Sequence, residues 1–290
     1  MRTEKEMLDL IINTAKEDER IRAVIMNGSR VNPNVKRDCF QDYDIMYVVK
    51  NIQSFTSNHN WIHRFGEIMI VQIPEEMSLL PADEDGKFPY LMQFIDGNRI
   101  DLTLVPADLI HTFIGQDSLS KLLLDKDGCV EEFPPASDKD YMIKKPTEKE
   151  FFDCCNEFWW CSTNVGKGLW REELSYVKGI LEGPMRDMLV VMLEWHIGMK
   201  TEFTANAGKS GKYFEQYVGQ DVWEQFKRTF SNAEYENIWD SFFIMGDLFR
   251  KVANEIGNTY EYQYPQDDDD KVMSYLKHVR RLPKDSKVIY

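Results

Sequence analysis

The sequence is poor in the features of membrane, secreted and nucleic-acid-coating proteins. None of its apolar runs approaches the roughly 20 residues that a bilayer-spanning helix needs, and its charged, amphipathic beginning lacks the apolar core of a signal peptide. Basic residues are outnumbered, with 35 Lys and Arg against 49 Asp and Glu and a formal net charge of −14. We therefore expect no membrane partner and no nucleic-acid partner, because nucleic-acid binding depends on basic surface.

Cysteine is also scarce, with five residues in 290 and no disulfide or zinc spacing among them. They are Cys39, Cys129, Cys154, Cys155 and Cys161. An odd number of unpatterned cysteines favours a reduced, cytoplasmic compartment. The excess of negative charge is compatible with a cationic small substrate, although solubility alone also explains it.

Extended patterns dominate the first half of the chain and helical patterns the second, so we predict an α+β fold of two domains. The boundary falls in the polar stretch near position 140, which gives residues 1–140 and 141–290. The first domain is predicted as a mixed β-sheet with flanking helices, and the second as a helical bundle that closes the cleft.

The predicted strands cover residues 22–27, 43–49, 67–73, 90–95 and 99–105, the last two joined by hairpin chemistry at Asp96-Gly97-Asn98. Helices are predicted over residues 4–19, 55–65, 107–114, 147–160 and beyond, 184–199, 232–256 with Gly257 as its end, and 267–281.

Two acidic residues open the second predicted strand. Asp42 and Asp44 are two positions apart, so they share a face at a Cα separation of roughly 7 Å, and the strand becomes apolar on both faces beyond them. Asp101 joins them if the strand over 99–105 lies alongside; the alternative for Asp101 is a salt bridge with Arg99. Three convergent carboxylates suit divalent cations and phosphoryl or nucleotidyl transfer.

A turn that could receive phosphate precedes the acidic strand. Gly28 lets the backbone approach a phosphate closely, the Ser29 hydroxyl and nearby N–H groups can donate to it, and Arg30 can add positive charge. The Gly-Ser turn, the Asp-x-Asp pair and a later single acid together resemble the nucleotidyltransferase superfamily of the DNA polymerase beta type.

Longer stretches resemble the aminoglycoside 6-adenylyltransferases, bacterial enzymes that modify streptomycin. They are MRTEKEMLDLII, IRAVIMNGSRVNPN, FQDYDIMYVV, GNRIDLTLV, VGKGLWREEL and GKSGKYF, and the similarity extends over nearly the whole chain. The resemblance implies transfer of AMP from ATP to the 6-hydroxyl of streptomycin, release of pyrophosphate, a Mg²⁺ cofactor and antibiotic resistance. It also implies that Asp42 and Asp44 hold metal, with Asp101 completing the metal site or acting as base.

Four lysines are candidates for contact with the triphosphate or the leaving pyrophosphate, because Lys can serve as a point charge for phosphate. They are Lys167, Lys178, Lys209 and Lys212. The stretch GKSGK is not a P-loop, because position 203 is Phe where that motif needs Gly. For each lysine the alternative is an ordinary surface residue.

The helix MLVVMLEWHIGM places a carboxylate among apolar residues, and such a group needs a partner. Glu194 and Asp187, seven positions earlier, share a face and could receive the guanidinium groups of streptomycin, with Trp195 as an aromatic wall. The alternative is an internal ion pair with Arg186 or His196.

The prediction is thus an enzyme with ATP and a cationic aminoglycoside as substrates. Three alternatives remain: the same chemistry on another aminoglycoside or on a protein hydroxyl, a non-catalytic nucleotide-binding module, and metal-dependent hydrolysis.

Overall fold

A computed structural model describes residues 1–79, 85–113, 115–128, 130 and 133–290. Cys129 and Ile114, the last residue of the helix predicted over 107–114, lie outside these ranges. The chain divides into two compact units, Met1–Asp140 and Tyr141–Tyr290. Over the described ranges, every helix is too short or too polar to cross a bilayer.

The first unit is built around one mixed sheet. Its strands, over the described residues, are β1 (Ile21–Asn27), β2 (Tyr43–Val49), β3 (Ile68–Gln72), β4 (Phe88–Phe94), β5 (Arg99–Pro106) and β6 (Ser120–Asp125). Their spatial order is β3-β4-β5-β2-β1-β6. Neighbouring strands are antiparallel except β2 and β5, which run parallel and lie at the centre of the sheet.

Helix α1 (Glu4–Glu17) covers one face of this sheet. Thr3 caps the helix in a capping box, which satisfies backbone groups of the first turn. Met7 and Ile11 follow at helical spacing and are fully buried against the sheet. The hydroxyl of Tyr47 on β2 donates to the carbonyl of Ile11 at 2.6 Å, which ties the helix to the central strand.

The opposite face of the sheet carries a smaller apolar cluster. Its buried members are Ala23, Ile25, Val48 and Ile110. Two short helices complete this unit in the described part of the chain, α2 (Gln53–Thr56) and α3 (Ile110–Phe113). Because side chains alternate along a strand, the residues of β2 that share a face with Val48 are Asp44 and Met46.

The second unit is helical. Its helices are α4 (Glu148–Arg171), α5 (Leu174–Ile180), α6 (Arg186–Lys200), α7 (Phe214–Tyr217), α8 (Gln220–Arg228), α9 (Tyr235–Tyr260) and α10 (Gln266–Arg281). A π-helical segment, Leu181–Met185, joins α5 to α6 around Pro184. Aromatic packing holds the bundle together, as where Phe158 stacks on Phe249 with ring centroids 3.8 Å apart. The predicted α+β fold class is confirmed.

Strand β6 and the helices α7 and α8 were not predicted. Several predicted helices also differ from those observed, and the one predicted over 107–114 begins as a 3-10 turn before α3. The helix predicted over 55–65 is instead α2 followed by a 3-10 segment, His59–Phe65, because the Asn58 side chain caps a new start by accepting from the Asn60 N–H. Helix α9 continues past Gly257 to Tyr260.

Candidate active site

Three carboxylates meet on one face of the central strand pair. Asp44 on β2 lies directly opposite Asp101 on β5 in the parallel pairing, and Asp42 immediately precedes β2. Each of the three side chains offers one oxygen, and these oxygens lie within 4.8 Å of one another. The structure therefore brings Asp101 to the two acids that alternation along the sequence had placed on one face.

The cluster concentrates negative charge. Burial, with Asp42 and Asp101 as neighbouring anions, raises the pKa of Asp44 to about 7. Arg99 offsets part of this charge: it donates twice to the Asp101 carboxylate, at 2.7 Å each, and lies 4.0 Å from Asp42. The two alternatives for Asp101 thus coexist, since it lies with the other acids and also pairs with Arg99.

These side chains fit a divalent cation. Hard cations such as Mg²⁺ prefer carboxylate oxygens, and the three acids present them close together. Burial and the neighbouring anions, which together raise the pKa of Asp44, disfavour its charged form, and a bound cation would relieve this. Asp42, Asp44 and Asp101 are the residues that would hold it.

The Gly-Ser turn lies against this cluster. Gly28 follows β1 with φ +74°, and a Cβ at this position would lie 2.1 Å from Oδ2 of Asp44. Glycine is therefore needed both for the backbone conformation and for the close approach of the acid. The Gly28 N–H donates to the carbonyl of Leu119 at 3.0 Å, so it is not available to a phosphate. The hydroxyl of Ser29 has no partner within the described chain.

Asn27 is a residue of this site that the sequence did not single out. It ends β1 and pairs in register with Asp44, and its Oδ1 atom is buried with no hydrogen-bond partner. A buried amide oxygen beside a carboxylate cluster marks a polar position that the strand itself does not satisfy. The sequence did contain a signal for Asn27, because a polar residue follows Ile25 on the same strand face directly before the Gly-Ser turn.

Arg30 lies in a different environment from the one predicted. Its side chain is buried rather than open to a phosphate, and it donates to the main-chain carbonyls of Gln41 and Asp42. The guanidinium group also stacks on the ring of Tyr43. Direct contact between Arg30 and a triphosphate is not favoured by this position.

The candidate lysines all belong to the helical unit. Lys167 donates to Asn164 and Lys178 donates to Ser231, so both ammonium groups already have contacts within that unit. Lys209 and Lys212 are exposed, in and directly after a short 3-10 turn. Their contact with nucleotide stays a prediction.

Glu194 lacks the internal partners considered for it. Arg186 pairs with Glu182 at 2.8 Å, and His196 pairs with Glu255 at 2.8 Å. Among the described residues Glu194 itself has neither an ion pair nor a hydrogen bond, and burial raises the pKa of its carboxyl.

The other two predicted substrate residues lie on the same helix, α6. Asp187 is exposed in its first turn, and Trp195 is partly buried against the helical core. Glu194 and Asp187 therefore remain candidates for a cationic ligand, with Trp195 beside them.

Comparison with known proteins gives consistent results over nearly the full length. The family model described as "Streptomycin adenylyltransferase" matches residues 1–279. An aminoglycoside 6-adenylyltransferase from Campylobacter jejuni is 44% identical over 276 residues, which is 95% of each chain. One from Bacillus subtilis (strain 168) is 40% identical over 280 residues, 96% of this chain and 98% of that protein.

A crystal structure of an aminoglycoside 6-adenyltransferase from Bacillus subtilis is similar with a TM-score of 0.48 and 36% identity, covering 97% of this chain and 99% of that one. With the family model spanning nearly all 290 residues and two relatives at 40% identity or more, the chain belongs to the streptomycin adenylyltransferase family.

Proposed function

We propose that this protein is an enzyme that transfers AMP from ATP to a hydroxyl of an aminoglycoside and so confers resistance to it. We further propose streptomycin as the acceptor and its 6-hydroxyl as the position modified. The observation that carries the proposal is the convergence of Asp42, Asp44 and Asp101 beside the Gly28-Ser29 turn. The names of the relatives support the acceptor class. Since ATP is the donor, we place the reaction in the cytoplasm.

The chemistry needs positioning and charge neutralisation more than covalent work by the protein. Asp42 and Asp44 would hold Mg²⁺, which when bound neutralises charge on the triphosphate and on the acids. Asp101 would complete that site or accept the proton of the acceptor hydroxyl, directly or through a water. Gly28 leaves room for the Asp44 carboxylate against the turn, and the Ser29 hydroxyl beside it can donate to a phosphate.

We assign the recognition of the aminoglycoside to the helical unit. Glu194 carries a half-buried carboxylate without a partner in the described chain, which a guanidinium group of streptomycin would satisfy. Asp187 and Trp195 would add a second charge and an aromatic surface. Lysines of the same unit would contact the triphosphate or the leaving pyrophosphate; they are Lys167, Lys178, Lys209 and Lys212.

The test is incubation of the purified protein with ATP, Mg²⁺ and a panel of aminoglycosides that includes streptomycin. Pyrophosphate release and the mass of each drug are measured together. We expect pyrophosphate and an AMP-sized gain in mass on streptomycin, and we expect Asp42→Asn and Asp44→Asn to abolish both while the folded state is retained.

Other outcomes separate the alternatives. Modification of a different aminoglycoside would correct the acceptor alone. Pyrophosphate without any modified drug would point to another acceptor, such as a protein hydroxyl. Binding of ATP without pyrophosphate release would indicate a non-catalytic module and overturn the proposal.

A further inference from the structure

Arg30 is a buried cation next to the candidate active site, with a side chain that is only 6% exposed. Its Nε donates to the carbonyl oxygen of Asp42 at 2.9 Å, and its Nη2 donates to that of Gln41 at 2.6 Å. The guanidinium carbon lies 3.7 Å from the centre of the Tyr43 ring. The planar fork of arginine suits this pair of adjacent carbonyls, whereas a lysine ammonium is a single point of charge.

The guanidinium group and the carboxylates lie on opposite faces of the sheet. Successive residues of a strand point to opposite sides, so Tyr43 and Asp44 face away from each other. Tyr43 belongs to the buried cluster on the side covered by α1, and Arg30 stacks on that ring. Glu4 of α1 lies 3.7 Å from Arg30 on the same side. From this side of the sheet, Arg30 can affect the acids through the main chain but cannot bind the same ligand as they do.

The bonds of Arg30 tie together the two ends of one loop. The segment between β1 and β2 begins at the Gly-Ser turn and ends at Asp42, and Arg30 near its start holds the carbonyls at its end. Gln41 reinforces the closure from the far end, since its side chain donates to the carbonyl of Ser29 at 3.3 Å. The closure determines where the main chain of Asp42 enters the strand.

We infer that Arg30 is a positioning residue that places Asp42 correctly for the carboxylate cluster, without touching substrate itself. The inference rests on the proposed metal-dependent chemistry of Asp42, Asp44 and Asp101. Residues that orient a metal ligand typically change metal affinity by about 10- to 100-fold when mutated. Arg30 would act in this way through a ligand's main chain.

The experiment compares Arg30→Met and Arg30→Lys with a matched control, Arg20→Met. Arg20 also stacks on a ring, that of Phe55 at 3.8 Å, and also donates to a main-chain carbonyl, that of Ser54 at 2.6 Å. It directly precedes β1, whose first residue pairs with the last residue of β2, so it lies at the end of the strand pair away from the acids. Mn²⁺ affinity is measured by electron paramagnetic resonance without nucleotide, alongside thermal unfolding, kcat and KM for ATP.

We expect Arg30→Met to weaken Mn²⁺ binding by about 10- to 100-fold and to lower kcat, with the KM for ATP little changed. Arg30→Lys should show a smaller loss, because the ammonium group keeps the positive charge and N–H donors but lacks the planar fork that matches the two carbonyls. Arg20→Met should also lower the unfolding temperature, since it removes the ion pair with Asp18 as well, and should leave Mn²⁺ affinity unchanged. If Arg30→Met does not fold, the comparison of Arg30→Lys with the wild type decides the question in the same way.

The inference would be overturned if Arg30→Met bound Mn²⁺ with wild-type affinity, or if Arg30→Lys did so where Arg30→Met does not fold. A raised KM for ATP, with no change in Mn²⁺ affinity, would instead mean that Arg30 contacts the triphosphate. An equal loss of Mn²⁺ affinity in Arg20→Met would reduce the effect to general destabilisation. Failure of the wild type to modify any aminoglycoside would refute the proposed function and leave the Mn²⁺ comparison valid.

Discussion

Replacing Gly28 by alanine tests the contact on which the candidate site is built. The new Cβ would lie 2.1 Å from Oδ2 and 2.9 Å from Cγ of Asp44, so the carboxylate has to move away before the variant can fold. A displacement of about 1 Å at a reacting group can cost roughly 100-fold in rate. The left-handed backbone of this position adds a penalty of about 1–2 kcal/mol for a residue with a side chain. We expect Gly28→Ala to lose about 100-fold or more in kcat and to unfold a few degrees below the wild type.

The variant Gly97→Ala separates the backbone penalty from the displacement of the Asp44 carboxylate. Gly97 also has a positive φ, +86°, in the turn between β4 and β5, and a Cβ there would meet no atom within 4 Å. It should therefore show the same backbone penalty with full activity. Steady-state turnover, Mn²⁺ binding and thermal unfolding of the two variants provide the comparison. Equal activities for Gly28→Ala and Gly97→Ala would refute the claim that Gly28 exists to admit Asp44.

Three further predictions concern other parts of the molecule. Glu194→Gln should raise the KM for streptomycin by about tenfold or more, since it removes a charge-assisted contact. The KM for ATP should stay the same, and the unfolding temperature should not fall. An unchanged KM for streptomycin would exclude Glu194 from the aminoglycoside site. Hydrogen bonds from Arg2 and Asn98 hold the pKa of Asp96 well below its usual range, so these contacts stabilise the fold above the unfolded-state pKa of about 4 and stabilise it less as the pH falls. In denaturant titrations, the free energy of unfolding of Asp96→Asn should therefore fall furthest below that of the wild type at neutral pH, and the difference should shrink in acid. A difference that is the same at every pH would contradict this. Iodoacetamide followed by peptide mapping should label the exposed Cys39 first, because burial protects three other thiols and raises their pKa; these belong to Cys154, Cys155 and Cys161.

The carboxylate cluster could be predicted because its determinants are local. Strand β2 has the bounds that the sequence predicts, since its residues are apolar on both faces beyond Asp44. Alternation along β2 and β5 then places Asp44 and Asp101 on matching faces. Only the parallel pairing of the two strands had to be supplied by the structure.

Other features depend on contacts that no local pattern contains. Strand β6 lies at the sheet edge, and its three consecutive leucines, 122–124, give no regular alternation. Its pairing with β1 also shifts between Val24 and Ile25. Gly257 looks like a helix end, yet α9 passes through it. Packing explains the glycine instead, since a Cβ there would lie 2.9 Å from the carbonyl oxygen of Tyr262. The burial of Arg30 likewise requires α1, which supplies Glu4 on the far side of the sheet.

The register of the two central strands has a consequence for how the sheet assembles. In the native alignment Asp44 stands opposite Asp101, so two like charges become neighbours before any cation is present. A slip of one residue would relieve this repulsion but would turn buried side chains such as Leu102 to the wrong face. The apolar alternation of β5 thus keeps two mutually repelling carboxylates side by side at the beginning of the strand. Millimolar Mg²⁺ should therefore raise the folded population of the first unit, because it would bind only the correctly aligned sheet.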